Sequence, residues 1–425
     1  MAEATWEIET LANGLRVVTT PVPTAQSVSV NVFVGVGSRA EDRRTNGLSH
    51  YLEHMLFKGT EQRPTAIAIS EAIEGAGGNM NAGTDRELTV YYNLMPYEKL
   101  PLAMDVLAEM IQHSLIDADE LERERTVVQQ EIQRAYDQPG ARASRLLYQA
   151  TFGDQPLGWP VSGTVETVQE MTRDDFVNHV RTWYVPQNMV LSVAGNTTHR
   201  EVVEHARRLY SDLESGAPPA IDGAREGVAN KQVVTEARDI AQSNLAMAVR
   251  GLSRKDPDRY ALGILNAVLG RGMSSRLFRE VRERRGLAYS IGSGVTRFQD
   301  TGLLSISAGV SAENVAQTVA VIKEELQKLV DEPVGEEEMT KARDYSVGTF
   351  RLSMESPMAL AHRTGEDLLF LGAIEPIETL VGRLQAVTAD DVQRMAQRLF
   401  RNENMSMSLV GPGADEGEMT ELLAA

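Results

Sequence analysis

The segment SHYLEHML places His50, Glu53 and His54 within five residues. Imidazoles four residues apart stand on one face of a helix, and two of them suit a zinc ion. Glu53, three residues after His50, flanks that face, where a carboxylate holds a water without itself binding the metal. A catalytic zinc takes a third protein ligand and keeps one position open. The segment LERERTVVQQEIQRAY offers donors, because Glu124 and Glu131 lie seven residues apart and so share a helical face. Glu131 follows Val127 and Val128 and precedes Ile132, which places it against the core as the expected third ligand. Glu124 is expected behind it, orienting a histidine or tuning the water. Glu120 and Glu122 read as solvated surface. A plainer reading competes. The first helix also supplies Leu48, Leu52, Met55, Leu56 and Phe57 to a core, and its histidines can be structural, with Glu131 a surface carboxylate. Two histidines and a glutamate crowded onto an apolar helix need partners, which favours the metal. The other histidines, His113, His179, His199, His205 and His362, fall outside any ligand spacing.

Strands and helices must bring these groups together. Residues 13–20 read as a turn and a β-branched strand, residues 26–35 as a half-buried alternating strand, and residues 81–94 as a third strand. Helical periodicity covers residues 48–57, 66–76, 101–113 and 119–136. Hairpin-like strands mixed with helices predict an α+β fold, a mostly antiparallel sheet with helices packed on one face.

The pattern occurs twice. Residues 168–195 align without gaps on residues 384–411, with Thr172 on Thr388, Asp174 and Asp175 on Asp390 and Asp391, Asn188 on Asn404 and Gly195 on Gly411. Each copy predicts a Thr-capped helix, a turn and a strand. A Gly, Ala and Pro-rich stretch, SGAPPAIDGAREG, lies between the copies and reads as a linker. The expected organisation is a metal-binding catalytic domain at 1–214, a linker at 215–230 and a homologous domain at 231–425. In the second copy RGMSSRLFREV aligns on NGLSHYLEHML, so Ser275, Phe278 and Arg279 replace His50, Glu53 and His54. Thr349 stands where Glu131 is expected, and the second domain cannot build the same metal site.

Bulk properties narrow the classes of function. A formal charge of −18 disfavours non-specific binding to nucleic acid or anionic lipid. The absence of cysteine rules out disulfides and thiolate chemistry. No apolar run is long enough to span a membrane, and MAEATWEIET lacks the basic end and apolar run of a signal peptide, so the cytoplasm is the expected compartment. The order H-x-x-E-H is the inverse of the commoner zinc-protease motif.

Together SHYLEHMLFKGT, NAGTDRELTVYY, ERERTVVQQEIQRAYDQPG, LGWPVSG and GMSSRLFREVRERRGLAYSIGS closely resemble the zinc metallopeptidases of the pitrilysin, insulin-degrading-enzyme and mitochondrial-processing-peptidase family. The likeness covers nearly the whole chain, and the length resembles the short-subunit branch, whose members have two homologous domains and pair into a clamshell-like chamber. The resemblance implies one Zn2+ per chain on His50, His54 and Glu131, with Glu53 as general base and Glu124 as the supporting glutamate. It also implies that Arg282 and Tyr289 reach toward the substrate carbonyl, and that extended peptide adds as a strand along Asn81 and Ala82. The implied function is zinc-dependent hydrolysis of unfolded peptides by a homodimer, or by a heterodimer with a homologous subunit. One departure stands in the motif, Tyr51 where the family commonly has Phe. The alternative is a non-catalytic docking or assembly subunit of a heteromeric peptidase, keeping a vestigial zinc site.

Overall fold

The computed structural model describes residues 5–226 and 232–424. Residues 227–230 of the expected linker lie outside them; residues 214–225 form neither helix nor strand. The chain forms two homologous α+β domains, each a largely antiparallel sheet with most of its helices packed on one face. Its contacts sort into two compact units. The first comprises Met1–Gln133, Pro160–Asp222 and Leu352–Ile377, and the second comprises Arg134–Trp159, Gly223–Arg351 and Glu378–Ala425.

The first sheet contains β1 (Glu7–Thr10), β2 (Arg16–Pro21), β3 (Ser27–Val34), β4 (Asn79–Thr84), β5 (Thr89–Pro96) and β6 (Met189–Gly195), in the order β1-β2-β6-β3-β5-β4. Only β2 and β6 run parallel. Residues 81–94, expected as one strand, are a hairpin: Thr84 pairs with Thr89, and Asp85 N–H donates to the Leu88 carbonyl at 2.9 Å. The four-residue loop lacks the Gly or Pro that marks most turns. It is held instead by docking, with Glu87 buried in a 2.6 Å ion pair to Arg39.

Side chains alternate across a strand, so β3 serves two faces. Val28, Val30, Val32 and Val34 point into the main core, shared with α1 (Leu48–Leu56), α2 (Ala66–Glu74), α3 (Leu100–His113) and α4 (Ala118–Asp137). Phe33 points the other way, among Val18, Val90, Val190, Leu368 and Phe370. The last two belong to the helix Pro357–Leu371, contributed by the second half of the sequence. Gly365 permits its close approach, since a Cβ there would collide with the Phe33 ring. The Ser192 hydroxyl donates to the Ala361 carbonyl at 2.7 Å.

The second unit repeats the plan with β7 (Val233–Glu236), β8 (Ser243–Gly251), β9 (Ala288–Arg297), β10 (Gly302–Val310) and β11 (Met405–Val410), in the order β7-β11-β8-β10-β9. The sequence repeat places β6 and β11 alike: each lies parallel to one neighbour and antiparallel to the next. The preceding helices, Arg173–Trp183 and Ala389–Leu399, carry the same cap, with Asp175 and Asp391 accepting from the backbone N–H of Thr172 and Thr388 at 2.8 and 3.0 Å. Helix α5 (Pro139–Phe152), from the first half of the sequence, packs Ala143, Leu146 and Leu147 on Ala246, Ala248 and Val410. The compact units therefore differ from the linear stretches 1–214 and 231–425 by one exchanged helical segment in each direction. Apolar burial is non-directional, and a helix stripe packs on whichever sheet face matches it. Among the described residues no helix is long and apolar enough to cross a membrane.

Candidate metal centre

Helix α1 begins without a side-chain cap. Its N-cap is Gly47, in the left-handed region at φ +101°, where Ser162 and Gly163 leave no room for a Cβ. The cap comes from a distance: Glu41 accepts from the Gly47 and Ser49 N–H groups, both at 2.7 Å, and from the Asn46 amide at 3.2 Å. Burial pushes the Glu41 carboxyl above its ordinary range, against the pull of those donors. Leu48, Tyr51, Leu52, Met55 and Leu56 then follow the 3.6-residue period into the core. His50, Glu53 and His54 are left on the flank, partly exposed.

Helix α4 buries Leu121, Glu124, Arg125, Val128 and Ile132. It is tied to α1 by Tyr51, fully buried, whose hydroxyl donates to the Leu121 carbonyl and whose ring packs edge-on against Phe176 at 4.9 Å. The unusual ring of the motif therefore adds a hydrogen bond between the two helices that carry the candidate ligands. Arg125, whose guanidinium lies over the same Tyr51 ring at 5.9 Å, fixes α4 further by donating to the carbonyls of Val168 and, at 2.9 Å, Met171.

Between these helices three groups converge. His50 Nε2 stands 3.7 Å from Glu131 Oε1, and His54 Nε2 stands 3.4 Å from Glu131 Oε2. One donor atom from each residue lies within 4.8 Å of the other two, and this is the single such His, Asp or Glu group among the described residues. Donors held about 2.0–2.2 Å from a tetrahedral zinc are separated by roughly 3.3–3.6 Å, so the spacing and the N, N, O set both fit the ion. The fit extends outward: His54 Nδ1 meets Glu124 Oε1 at 2.8 Å, which leaves Nε2 facing Glu131. The other Glu124 oxygen takes the Lys58 ammonium at 2.5 Å. His50 Nδ1 is buried with no hydrogen-bond partner among the described residues.

Burial and charge oppose each other here. Burial works against a charged His54, but the Glu124 hydrogen bond and the charges of Glu124, Glu131 and Glu53 outweigh it and hold the imidazole above its ordinary range. Burial likewise works against the Glu124 carboxylate, and its bonds to His54 and Lys58 outweigh that and hold it below the ordinary range.

Of the two glutamates of α4, Glu131 departs from its expected setting. Glu131, expected against the core, is 51% exposed at its side chain, whereas Glu124 is 7% exposed. Val127 faces solvent too, so the apolar stripe runs through Leu121, Val128 and Ile132 with Glu124 inside it. Glu53 accepts from the Thr84 hydroxyl at 2.6 Å. Thr84 ends β4, an edge strand that also carries Asn81 and Ala82; the Ala82 N–H donates to the Asn81 side chain at 2.9 Å. Arg282 and Tyr289 belong to the second unit. Arg282 lies in a π-helical turn, Phe278–Glu283, with its guanidinium over the Phe278 and Tyr289 rings at 4.8 and 5.6 Å, and Tyr289 is 75% exposed on β9. Sequence reasoning missed Glu41, Lys58 and Thr84. Lys58, four residues after His54, had a readable signal in its spacing; Thr84 and Glu41 had none.

Residues 16–165 match the family described as Insulinase (Peptidase family M16), and residues 170–345 match the Peptidase M16 inactive domain. An uncharacterized zinc protease of Streptomyces coelicolor is 37% identical over 413 residues, 96% of this chain and 90% of that protein. The uncharacterized zinc protease YmxG of Bacillus subtilis is 35% identical over 406 residues, 96% of this chain and 98% of that one. In fold the chain resembles a protease from Helicobacter pylori, with a TM-score of 0.88, 23% identity, and coverage of 96% of this chain and 100% of that one. A peptidase M16 inactive domain from Pseudomonas fluorescens gives a TM-score of 0.88 at 21% identity, covering 96% and 98%. The chain belongs to peptidase family M16.

Proposed function

We propose that this protein is a zinc-dependent endopeptidase of the short-subunit branch, binding one Zn2+ per chain through His50, His54 and Glu131. The observation that carries the reading is the convergence of those three donors beside a further carboxylate, Glu53, on the helix that bears both histidines. The chemistry that zinc supplies when bound is Lewis acidity, which polarises a carbonyl and makes a water acidic. Glu53 takes the proton of the attacking water and passes it to the leaving amine. The Thr84 hydroxyl holds the Glu53 carboxylate in place, and Glu124 orients His54.

In the same reading Arg282 and Tyr289 donate to the developing oxyanion. Peptide adds in extended form along the β4 edge at Asn81 and Ala82, where main-chain pairing asks little of the sequence. The acting unit is a pair of subunits enclosing a chamber, a homodimer or a heterodimer with a homologous subunit, and it works in the cytoplasm on unfolded peptides. The proposed domain roles follow the repeat, with catalysis in the first copy and substrate binding in the second. The test is Glu53→Gln. Zinc content is expected to be unchanged, while cleavage of a quenched unstructured peptide falls by about 10²–10⁴-fold. Undiminished turnover would remove Glu53 as the base.

A further inference from the structure

The centre contains a cation that the proposed function leaves without a role. Lys58 follows His54 by four residues. Helix α1 closes through Phe57, and the Lys58 N–H still donates to the Met55 carbonyl at 3.1 Å, so the helical turn continues and carries the lysine on the histidine's face. Its ammonium lies 2.5 Å from one oxygen of Glu124, whose other oxygen lies 2.8 Å from His54 Nδ1.

Glu124 is almost wholly buried, and these two contacts engage both of its oxygens. Without the lysine one oxygen would be a buried acceptor with no donor, which is costly for a charged group. The carboxylate would then turn toward another donor, and His54 would lose the partner that sets its ring. Charge balance points the same way. Glu53, Glu124 and Glu131 set three carboxylates against one ammonium, Lys58, around the two imidazoles, an excess of acceptors that a divalent cation suits.

We propose that Lys58 is a positioning residue of the metal centre: by holding Glu124 at both oxygens, it fixes the ring of His54 with Nε2 toward the ion. The inference rests on the zinc reading above. A merely superficial lysine–glutamate pair would contribute little to anything, and nothing to metal affinity.

The experiment measures the zinc dissociation constant by chelator competition on the full chain for wild type, K58M, K58Q, K58R and E124Q. The visible spectrum of the cobalt-substituted proteins is recorded in parallel. K58M and K58Q are expected to weaken zinc binding by about 10–100-fold, as loss of an outer partner does. They are also expected to shift the cobalt bands while leaving the one-ion stoichiometry unchanged; the metal-free unfolding midpoint, recorded in parallel, reads the cost of the unpaired Glu124 oxygen. K58R, which restores a cation, is expected to recover most of the affinity. K58Q keeps the measurement available should K58M fold poorly. Wild-type affinity and an unchanged cobalt spectrum in K58M and K58Q, with E124Q weakened, would overturn the role of Lys58 and leave the zinc reading intact. A wild-type protein that binds no zinc would overturn the zinc reading itself.

Discussion

Replacing Glu131 with Gln separates a metal ligand from a structural carboxylate, because the structure makes the two roles predict different things. The Glu131 side chain is half exposed and packs in no apolar cluster. Removing its charge from the metal-free protein should therefore change stability by no more than about 0.5 kcal/mol, the range of ordinary surface substitutions. Zinc changes the comparison. At free zinc about 100 times the wild-type dissociation constant, binding stabilises the native state by about 2.7 kcal/mol. Losing one of three protein ligands should weaken binding at least as much as losing an outer partner, about 100-fold, and at the same free zinc the gain falls to about 0.4 kcal/mol. With a slope of about 2–4 °C per kcal/mol for a domain of 150–250 residues, zinc should raise the unfolding midpoint by roughly 5–10 °C in wild type and by roughly 1 °C in E131Q. The assay is thermal unfolding followed by circular dichroism in buffered free zinc, with a chelated control for each protein. A full zinc-dependent rise in E131Q would refute Glu131 as a ligand. A loss of more than about 1 kcal/mol in the chelated variant would show that the residue is structural after all.

Other consequences are open to measurement. Protons and zinc compete for His54, which is held above its ordinary range, so zinc affinity should fall by about tenfold per pH unit once pH drops below the His54 value, read by chelator competition across pH. Metal-free stability should run oppositely: the raised imidazole contributes fully below its unfolded value of about 6.5, and that contribution is lost as pH rises through the folded value, checked by denaturant unfolding in chelator. Tyr51→Phe removes a buried hydroxyl from the link between α1 and α4 and should destabilise the protein by about 0.5–1.5 kcal/mol, measured by urea midpoint; a variant as stable as wild type would show that the hydroxyl links nothing. Thr84→Val should leave zinc binding intact but lower turnover, because Glu53 loses its donor.

Local spacing made the centre legible; long-range packing did not. His50, Glu53 and His54 sit on one short helix, and the seven-residue step from Glu124 to Glu131 put both on one face of another. The order of burial along that face was misread, because Val127 was counted as core when it faces solvent. The repeat at residues 168–195 and 384–411 was visible because caps and turns are written in adjacent residues. The hairpin at Asp85 was hidden because its loop has no Gly or Pro and docks on Arg39, almost fifty positions earlier. The exchanged helices were hidden for a similar reason: α5 and Pro357–Leu371 show apolar faces, but nothing in a face states which sheet it covers. Thr84 holding Glu53 is likewise a contact between segments that no local pattern links, and Glu41 caps α1 from just upstream, outside the usual capping-box spacing.

Crystals of the zinc-saturated protein, with diffraction recorded on either side of the zinc absorption edge, would show whether His50, His54 and Glu131 hold the ion. One strong anomalous peak per chain is expected, about 2.0–2.2 Å from His50 Nε2, His54 Nε2 and a Glu131 oxygen. A peak elsewhere in the chain, or none between the two histidines at full zinc loading, would contradict this placement.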